Sequence, residues 1–149
     1  MSYCIVDFTK EHCDYLRSKT PEFTYPGSSE TYVKSITENL SPARTVIHSS
    51  GEILFSLGQY IKWPGVAESW TILPESTRLK YPKILHKATL EVMDLDYKQY
   101  GFHRIETTVL AGFDAGHRWA KHLGFINEGP MYCYDSNKQT HYRYAKIYP

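Results

Sequence analysis

One stretch does most to limit the folds open to this chain. Between Pro82 and Tyr100 apolar residues recur at Ile84, Leu85, Ala88, Val92, Leu95 and Tyr100. That period predicts a long amphipathic helix. Proline stands in its first turn, where the N–H it lacks would have no helical partner anyway, and Gly101 closes it. A strand is expected on either side: residues 66–73, stopped by Pro74, and residues 102–110, with the β-rich run Ile105-Glu106-Thr107-Thr108-Val109. A strand, helix, strand succession of this kind makes a parallel pair joined by a right-handed crossover.

The remaining segments predict antiparallel pairing. Residues 3–8 read as a first strand, and Thr9 offers an N-cap to a short helix over 11–17. Residues 20–29 hold Pro21, Pro26 and Gly27 and read as loop. Ser29 is placed to cap a second helix reaching Leu40, with Tyr32, Val33, Ile36 and Leu40 on one face, and Pro42 ends it. A meander follows: strands over 44–48 and 53–61, then 66–73, separated by Ser49-Ser50-Gly51 and Trp63-Pro64-Gly65. Gly58 is a candidate bulge. Asp114 offers a cap to a helix that carries Trp119, Ala120 and Leu123 and stops at Gly124. Residues 131–134 and 141–148 read as a closing antiparallel pair with a polar turn between them. The fold class is therefore α/β (α+β): a mixed, mostly antiparallel central sheet flanked by helices, with one parallel crossover. No repeat, linker or low-complexity segment interrupts it, so residues 1–149 are expected to form a single domain.

Composition narrows the function classes. Hydrophobic residues make up 42% and charged residues 22%, as in an ordinary globular domain. A formal net charge of +1 gives no reason to expect a nucleic acid partner. No run approaches the ~18 apolar residues of a membrane span. Met1-Ser2-Tyr3-Cys4 has neither the basic flank nor the apolar core of a signal sequence. Cys4, Cys13 and Cys133 are odd in number and lack metal-ligand spacing, and the scattered histidines form no set, so no metal is expected. A reduced, cytoplasmic setting is the simplest expectation. The 13 tyrosines fit half-buried sheet positions. The chain has no Gly-x-Ser-x-Gly elbow, His-Glu-x-x-His pair, Walker loop or Cys-x-x-Cys.

The C-terminal half carries a resemblance. Arg104-Ile105-Glu106, His122-Leu123-Gly124-Phe125, Glu128-Gly129 and Tyr142-Arg143-Tyr144-Ala145 follow one another as in the GNAT N-acetyltransferase family. Trp63-Pro64-Gly65-Val66-Ala67-Glu68-Ser69-Trp70, followed by Gly101-Phe102-His103-Arg104-Ile105, is similar to GNAT-like proteins encoded by tailed bacteriophages. The first 60 or so residues match in element order alone.

The resemblance implies acetyl-CoA as cofactor and an amine on a small molecule or protein as acceptor. It places the pyrophosphate between the fourth strand and the long helix, at the helix N-terminus. Arg78, Leu79, Lys80, Tyr81, Lys83 and Ile84 would hold it. Tyr81 and Lys83 stand where the family has small residues and Pro82 removes a donor, so a solvated basic helix start is the competing reading. Ile72 and Leu73 would pair with pantetheine as an added strand, and Trp119 would line its channel unless it serves core packing alone. Glu68, among Val66, Ala67 and Trp70, is the candidate general base. Its alternatives are a solvent-facing residue or a structural ion pair. The family's tyrosine acid falls on Ala120 and its asparagine on Phe113. Substitutes for the acid are Tyr100, His103, His117, Tyr132 and Tyr134, with His103 and His117 better read as surface or hydrogen-bonded structural residues. Acceptor loops would lie at 20–29 and 131–139. Two functions stand open: an acetyltransferase, or a GNAT-like module that binds a host or virion protein, in the host cytoplasm or the virion if phage-encoded. Oligomeric state is not readable from the sequence.

Overall fold

The structure is a computed structural model, and it describes residues 2–21, 23 and 27–149. Met1, and Glu22 and Thr24–Pro26 of the expected acceptor loop, lie outside the described residues. The chain runs β1 (Tyr3–Asp7), α1 (Lys10–Lys19), α2 (Ser29–Glu38), β2 (Ala43–His48), β3 (Ile53–Trp63), β4 (Val66–Ile72), α3 (Glu75–Lys80), α4 (Pro82–Tyr100), β5 (Arg104–Leu110), α5 (Asp114–His122), β6 (Ile126–Met131) and β7 (His141–Ile147). Among the described residues no helix is long and apolar enough to cross a membrane.

The seven strands form one sheet in the order β1-β2-β3-β4-β5-β7-β6. Every neighbouring pair is antiparallel except β4 and β5. The expected parallel crossover is thus present, and α4 makes it. Side-chain alternation along the strands divides the sheet into two faces. On one, α4 and α5 cover Ala67, Ile105, Val109 and Tyr144 together with the Leu54, Phe55 and Leu57 end of the core. On the other, Cys13 and Leu16 of α1 pack on Ile72, with Phe8, Tyr32 and Trp70 around them. Among the described residues, the main sheet contacts of α1 are with β3 and β4 on that second face.

Local chemistry explains most boundaries. Thr9 accepts from the His12 N–H while the His12 imidazole accepts from the Thr9 N–H, so both ends of a capping box are made. Gly101 closes α4 at φ 68°.

The structure corrects several expectations. Ser28, not Ser29, caps α2, accepting from the Thr31 N–H, and Ser29 is the first helical residue. Phe113, not Asp114, holds the cap position of α5. Gly58 is no bulge. The register shifts in the pairings of β3 lie at Val46/Ile47 and Ile61/Trp63. Gly58 is needed instead for close approach, since a Cβ there would stand 2.5 Å from the Trp70 indole and 2.6 Å from the Pro42 carbonyl oxygen. A short helix, α3, fills the segment between Pro74 and Pro82, for which no element was expected. Thr77 anchors it by donating to the Leu54 carbonyl at 2.6 Å. Finally, Met131 ends β6 instead of opening it. Pro130 falls within β6, an edge strand paired only with β7, where a missing N–H is tolerated.

Candidate functional site

The pairing of β4 with β5 stops after three residue pairs, Val66↔Arg104, Ala67↔Ile105 and Glu68↔Glu106. Beyond them only the Thr107 hydroxyl reaches the Ser69 carbonyl, at 3.4 Å, and the strands part. A cavity of about 970 Å³ fills the opening. Leu85, Thr89 and Met93 of α4 and Gly116, Trp119 and Ala120 of α5 wall it on one side. Glu68, Trp70, Thr108 and His141 belong to the opposite face by alternation, and Thr20 and Phe23 join them. The cavity therefore passes through the sheet. A second cavity of about 410 Å³ lies against α2, lined by Tyr32, Ser35, Ile36 and Tyr60, and shares Glu68, Ser69 and Trp70 with the first.

Glu68 sits where the split begins. Its side chain is 35% exposed and its carboxylate lies 3.8 Å from the Arg143 guanidinium. The structure thus combines two of its sequence readings: it is at the cavity, and it has a loose ionic neighbour. Arg143 is equally 3.8 Å from Glu106. Burial pushes the Glu106 carboxyl up, but hydrogen bonds from Lys62 at 2.8 Å and Arg104 at 3.0 Å outweigh this and leave it below its ordinary range. Arg104 also holds Glu128, which together with Glu106 raises the guanidinium pKa. Beside Glu68 lies a floor of fixed, paired charges.

The structure separates the residues expected to hold phosphate. Arg78 lines the cavity, bonded to Glu75 at 3.2 Å and 5.9 Å above the Phe113 ring. Pro82 also lines it. Tyr81 turns away: its hydroxyl donates to Glu52 at 3.0 Å and its ring packs on His48. Lys80 lies over that ring, while Leu79 and Lys83 are exposed and Ile84 packs in the core beneath α4. The bulky residues that replace the family's small ones thus leave the cleft open. At this helix start the first intrahelical bond is Leu85 N–H to the Tyr81 carbonyl at 3.0 Å, and helix geometry leaves the N–H groups of Lys83 and Ile84 unsatisfied within it. Ile72 is buried toward α1, so its side chain is not brought to the cavity, whereas Leu73 is. Trp119 both lines the cavity and packs on the two core clusters of that face.

The cavity wall is unusual in its polar atoms. Among the described residues, Thr20 Oγ1, Trp70 Nε1, Thr89 Oγ1, Trp119 Nε1 and His141 Nδ1 are buried without a hydrogen-bond partner, and all belong to lining residues. Native proteins keep few such atoms, because each costs about 1–3 kcal/mol.

Sequence reasoning missed His141. Its Nε2 lies 2.9 Å from Asp135 Oδ2, and Asp135 Oδ1 accepts from the N–H groups of Asn137 and Gln139. These bonds, the His141 one foremost, hold the Asp135 carboxyl below its usual range. The available signal was Asp-Ser-Asn-Lys-Gln, an Asx-type turn placing an acid near the next histidine. Among the substitutes considered for an acid, His117 is structural: Nδ1 meets the buried Tyr144 hydroxyl at 2.6 Å and Nε2 faces the Leu110 and Ala111 carbonyls. His103 packs against Gly65, Tyr100 stacks on Phe102 and Tyr132 is exposed. Tyr134 is half-exposed and packs on the His141 ring. None of His103, His117, Tyr100, Tyr132 and Tyr134 lines the cavity.

No family model and no curated protein sequence matches the chain. Solved structures do match. A mutant of the spermidine N-acetyltransferase SpeG from Vibrio cholerae superposes with a TM-score of 0.83 at 13% identity, covering 98% of this chain and 94% of that one. A ribosomal-protein-S5-alanine acetyltransferase from Vibrio fischeri gives 0.79 at 16% identity, covering 99% and 93%. A putative acetyltransferase from Acinetobacter baylyi gives 0.78 at 14% identity, covering 98% and 93%. At such identities the likeness establishes the fold: a mixed, mostly antiparallel sheet with one parallel pair, as in GNAT structures.

Proposed function

We propose that this chain is an acetyl-CoA-dependent N-acetyltransferase acting on an amine. One observation carries the reading: a single cavity threads the split between β4 and β5, with Glu68 at its start on the face opposite α4 and α5. The acceptors named for the similar structures, spermidine and the alanine of a ribosomal protein, support an amine here without choosing one.

The residues present fit the cofactor. Past Glu68, β4 has lost its β5 partner, so the backbone through Ile72 and Leu73 is available to an extended pantetheine arm. Thr89 Oγ1 and Trp119 Nε1, orphaned in the apolar wall, suit the amides of that arm. Arg78 and the N–H groups of Lys83 and Ile84 suit the diphosphate. Bound acetyl-CoA supplies an activated thioester. Glu68 takes the proton from the acceptor nitrogen, directly or through water, and Trp70 and Phe23 exclude bulk water around it.

A second reading, a module that binds a host or virion protein, is favoured by Pro82 at the phosphate end and by Ala120 and Phe113 in place of the family's tyrosine and asparagine. Calorimetric titration with acetyl-CoA decides between them. The transferase reading expects saturable heat, and a rise in Tm of about 5–10 °C at a hundred times Kd. Glu68→Gln should keep that binding and lower turnover by about 10²-fold or more. No heat at millimolar cofactor would end the reading.

A further inference from the structure

We propose that the second cavity is an acceptor subsite for an aromatic ring, so that the preferred acceptors are primary amines carrying an aryl group on a short tether. The inference rests on the transferase reading and adds a substrate class to it. Tyr32, Ser35 and Ile36 stand at i, i+3 and i+4 of α2, so one face of that helix forms one wall. The other wall comes from two cross-strand pairs of the sheet, Tyr60↔Glu68 and Gly58↔Trp70. With no side chain of its own, Gly58 lets the Trp70 indole lean across β3, where a Cβ would stand 2.5 Å from Trp70 Cζ2. Tyr32 meets that indole edge-on, with ring centroids 5.6 Å apart. Tyr60 is 40% exposed and forms the rim. Aromatic side chains and Ile36 therefore line a space of about 410 Å³ that opens onto Glu68.

Charge and distance choose the occupant. Glu68 is the one charged side chain among the described residues lining this cavity, and no lysine, arginine or histidine joins it. Arg143, the basic group beside Glu68, is shared with Glu106. A carboxylate on the acceptor would therefore meet Glu68 with nothing in the lining to offset it. A second ammonium would find no second carboxylate, since the acceptor nitrogen already takes Glu68. The Ser35 hydroxyl donates to the Tyr32 carbonyl at 2.8 Å, so it is engaged within the helix. What remains is apolar and aromatic surface, against which a ring gains edge-to-face and offset contacts. Directly opposed residues of neighbouring strands have Cβ atoms roughly 5 Å apart. A nitrogen at Glu68 and a ring beside Tyr60 are thus within reach of one another through an ethylene tether.

The test compares phenethylamine with propylamine, which lacks the ring, and with tetramethylenediamine, which puts an ammonium in its place. The wild-type protein should show a KM for phenethylamine about tenfold or more below that for propylamine, at similar kcat, from burial of the ring. Tetramethylenediamine should gain nothing over propylamine. Ser35→Phe fills the cavity and should erase the preference, bringing the phenethylamine and propylamine KM values within about threefold of each other. Tyr60→Ala, at an exposed rim position, should raise the phenethylamine KM severalfold, and it carries the test where Ser35→Phe does not fold. Equal KM values for phenethylamine and propylamine in the wild type overturn the proposal. So does a diamine preferred to phenethylamine, or a ring preference that survives both substitutions. If no amine is acetylated, the transferase reading fails on its own. The subsite is then read by calorimetric titration of phenethylamine into the wild type and the two variants. Saturable heat in the wild type that the substitutions remove supports it, and heat equal in all three, or absent from all three, overturns it.

Discussion

Thr89→Val tests whether the orphaned atoms of the cavity are reserved for a ligand. Thr89 is 3% exposed on α4, and its hydroxyl has no partner. Valine has nearly the same shape and the same β-branching, so helix propensity and packing change little. An unsatisfied buried hydroxyl costs about 1–3 kcal/mol. The lower end of that range is the conservative expectation. The variant should therefore be more stable by about 1 kcal/mol, a rise in Tm of about 2–4 °C for a chain of this size. If the hydroxyl serves the pantetheine arm, the same change removes a hydrogen bond worth about 1 kcal/mol and weakens acetyl-CoA about fivefold. Stability and affinity should thus move in opposite directions. Urea denaturation gives the first and calorimetry the second. A variant less stable than wild type refutes the accounting of the orphan. One that is more stable but binds equally well refutes its assignment to the cofactor.

Two further predictions concern charge. Arg78→Ala should weaken acetyl-CoA about tenfold, with a smaller loss at high salt, whereas Tyr81→Phe, which removes only the bond to Glu52, should change affinity less than about twofold; calorimetry at two salt concentrations checks both. Glu106 has a folded pKa below the ordinary 4.5, so its contribution is complete above about pH 4.5 and is lost as pH falls through the lower folded value. Glu106→Gln should accordingly reduce stability at neutral pH by roughly 1–3 kcal/mol, less than for a fully buried pair because Lys62 is partly exposed. It should also flatten the acid side of the stability profile, and an unchanged acid limb in urea titrations from pH 7 to pH 3 would contradict the network.

What was legible in the sequence follows from how local its physics is. The period of α4, Pro82 in its first turn and Gly101 at its end are all written within 20 residues, and they fixed the crossover that places the site. Glu68 was legible because a charge among Val66, Ala67 and Trp70 on a strand invites a reason. The split was not: nothing local says that β4 and β5 stop pairing at Glu68. Tyr81 misled for a similar reason. Its bulk reads as an obstruction until Glu52 and His48, from the β2–β3 end of the sheet, are found holding it aside. His141 escaped because its place in the cavity wall depends on β7 pairing beside β5, far away in sequence, which only the fold reveals.

The small residue at Ala120 bears on the chemistry in a way that can be bounded. A general acid contributes typically 10²–10⁴-fold when the leaving atom needs a proton to depart. A thiolate, whose conjugate acid has a pKa of about 8.5, needs little help near neutral pH, so its loss costs much less here than it would for an alkoxide. The amine is the harder problem, because its proton must leave before or as the new bond forms, and on the proposed reading Glu68 takes it. Ala120 meanwhile is 4% exposed and lines the cavity. A tyrosine there would project into the space between α5 and the split. On the proposed reading, Ala120 gives up the dispensable acid and leaves room at the α5 wall of the cavity, and the demand for a catalytic group falls on the opposite face, where Glu68 stands.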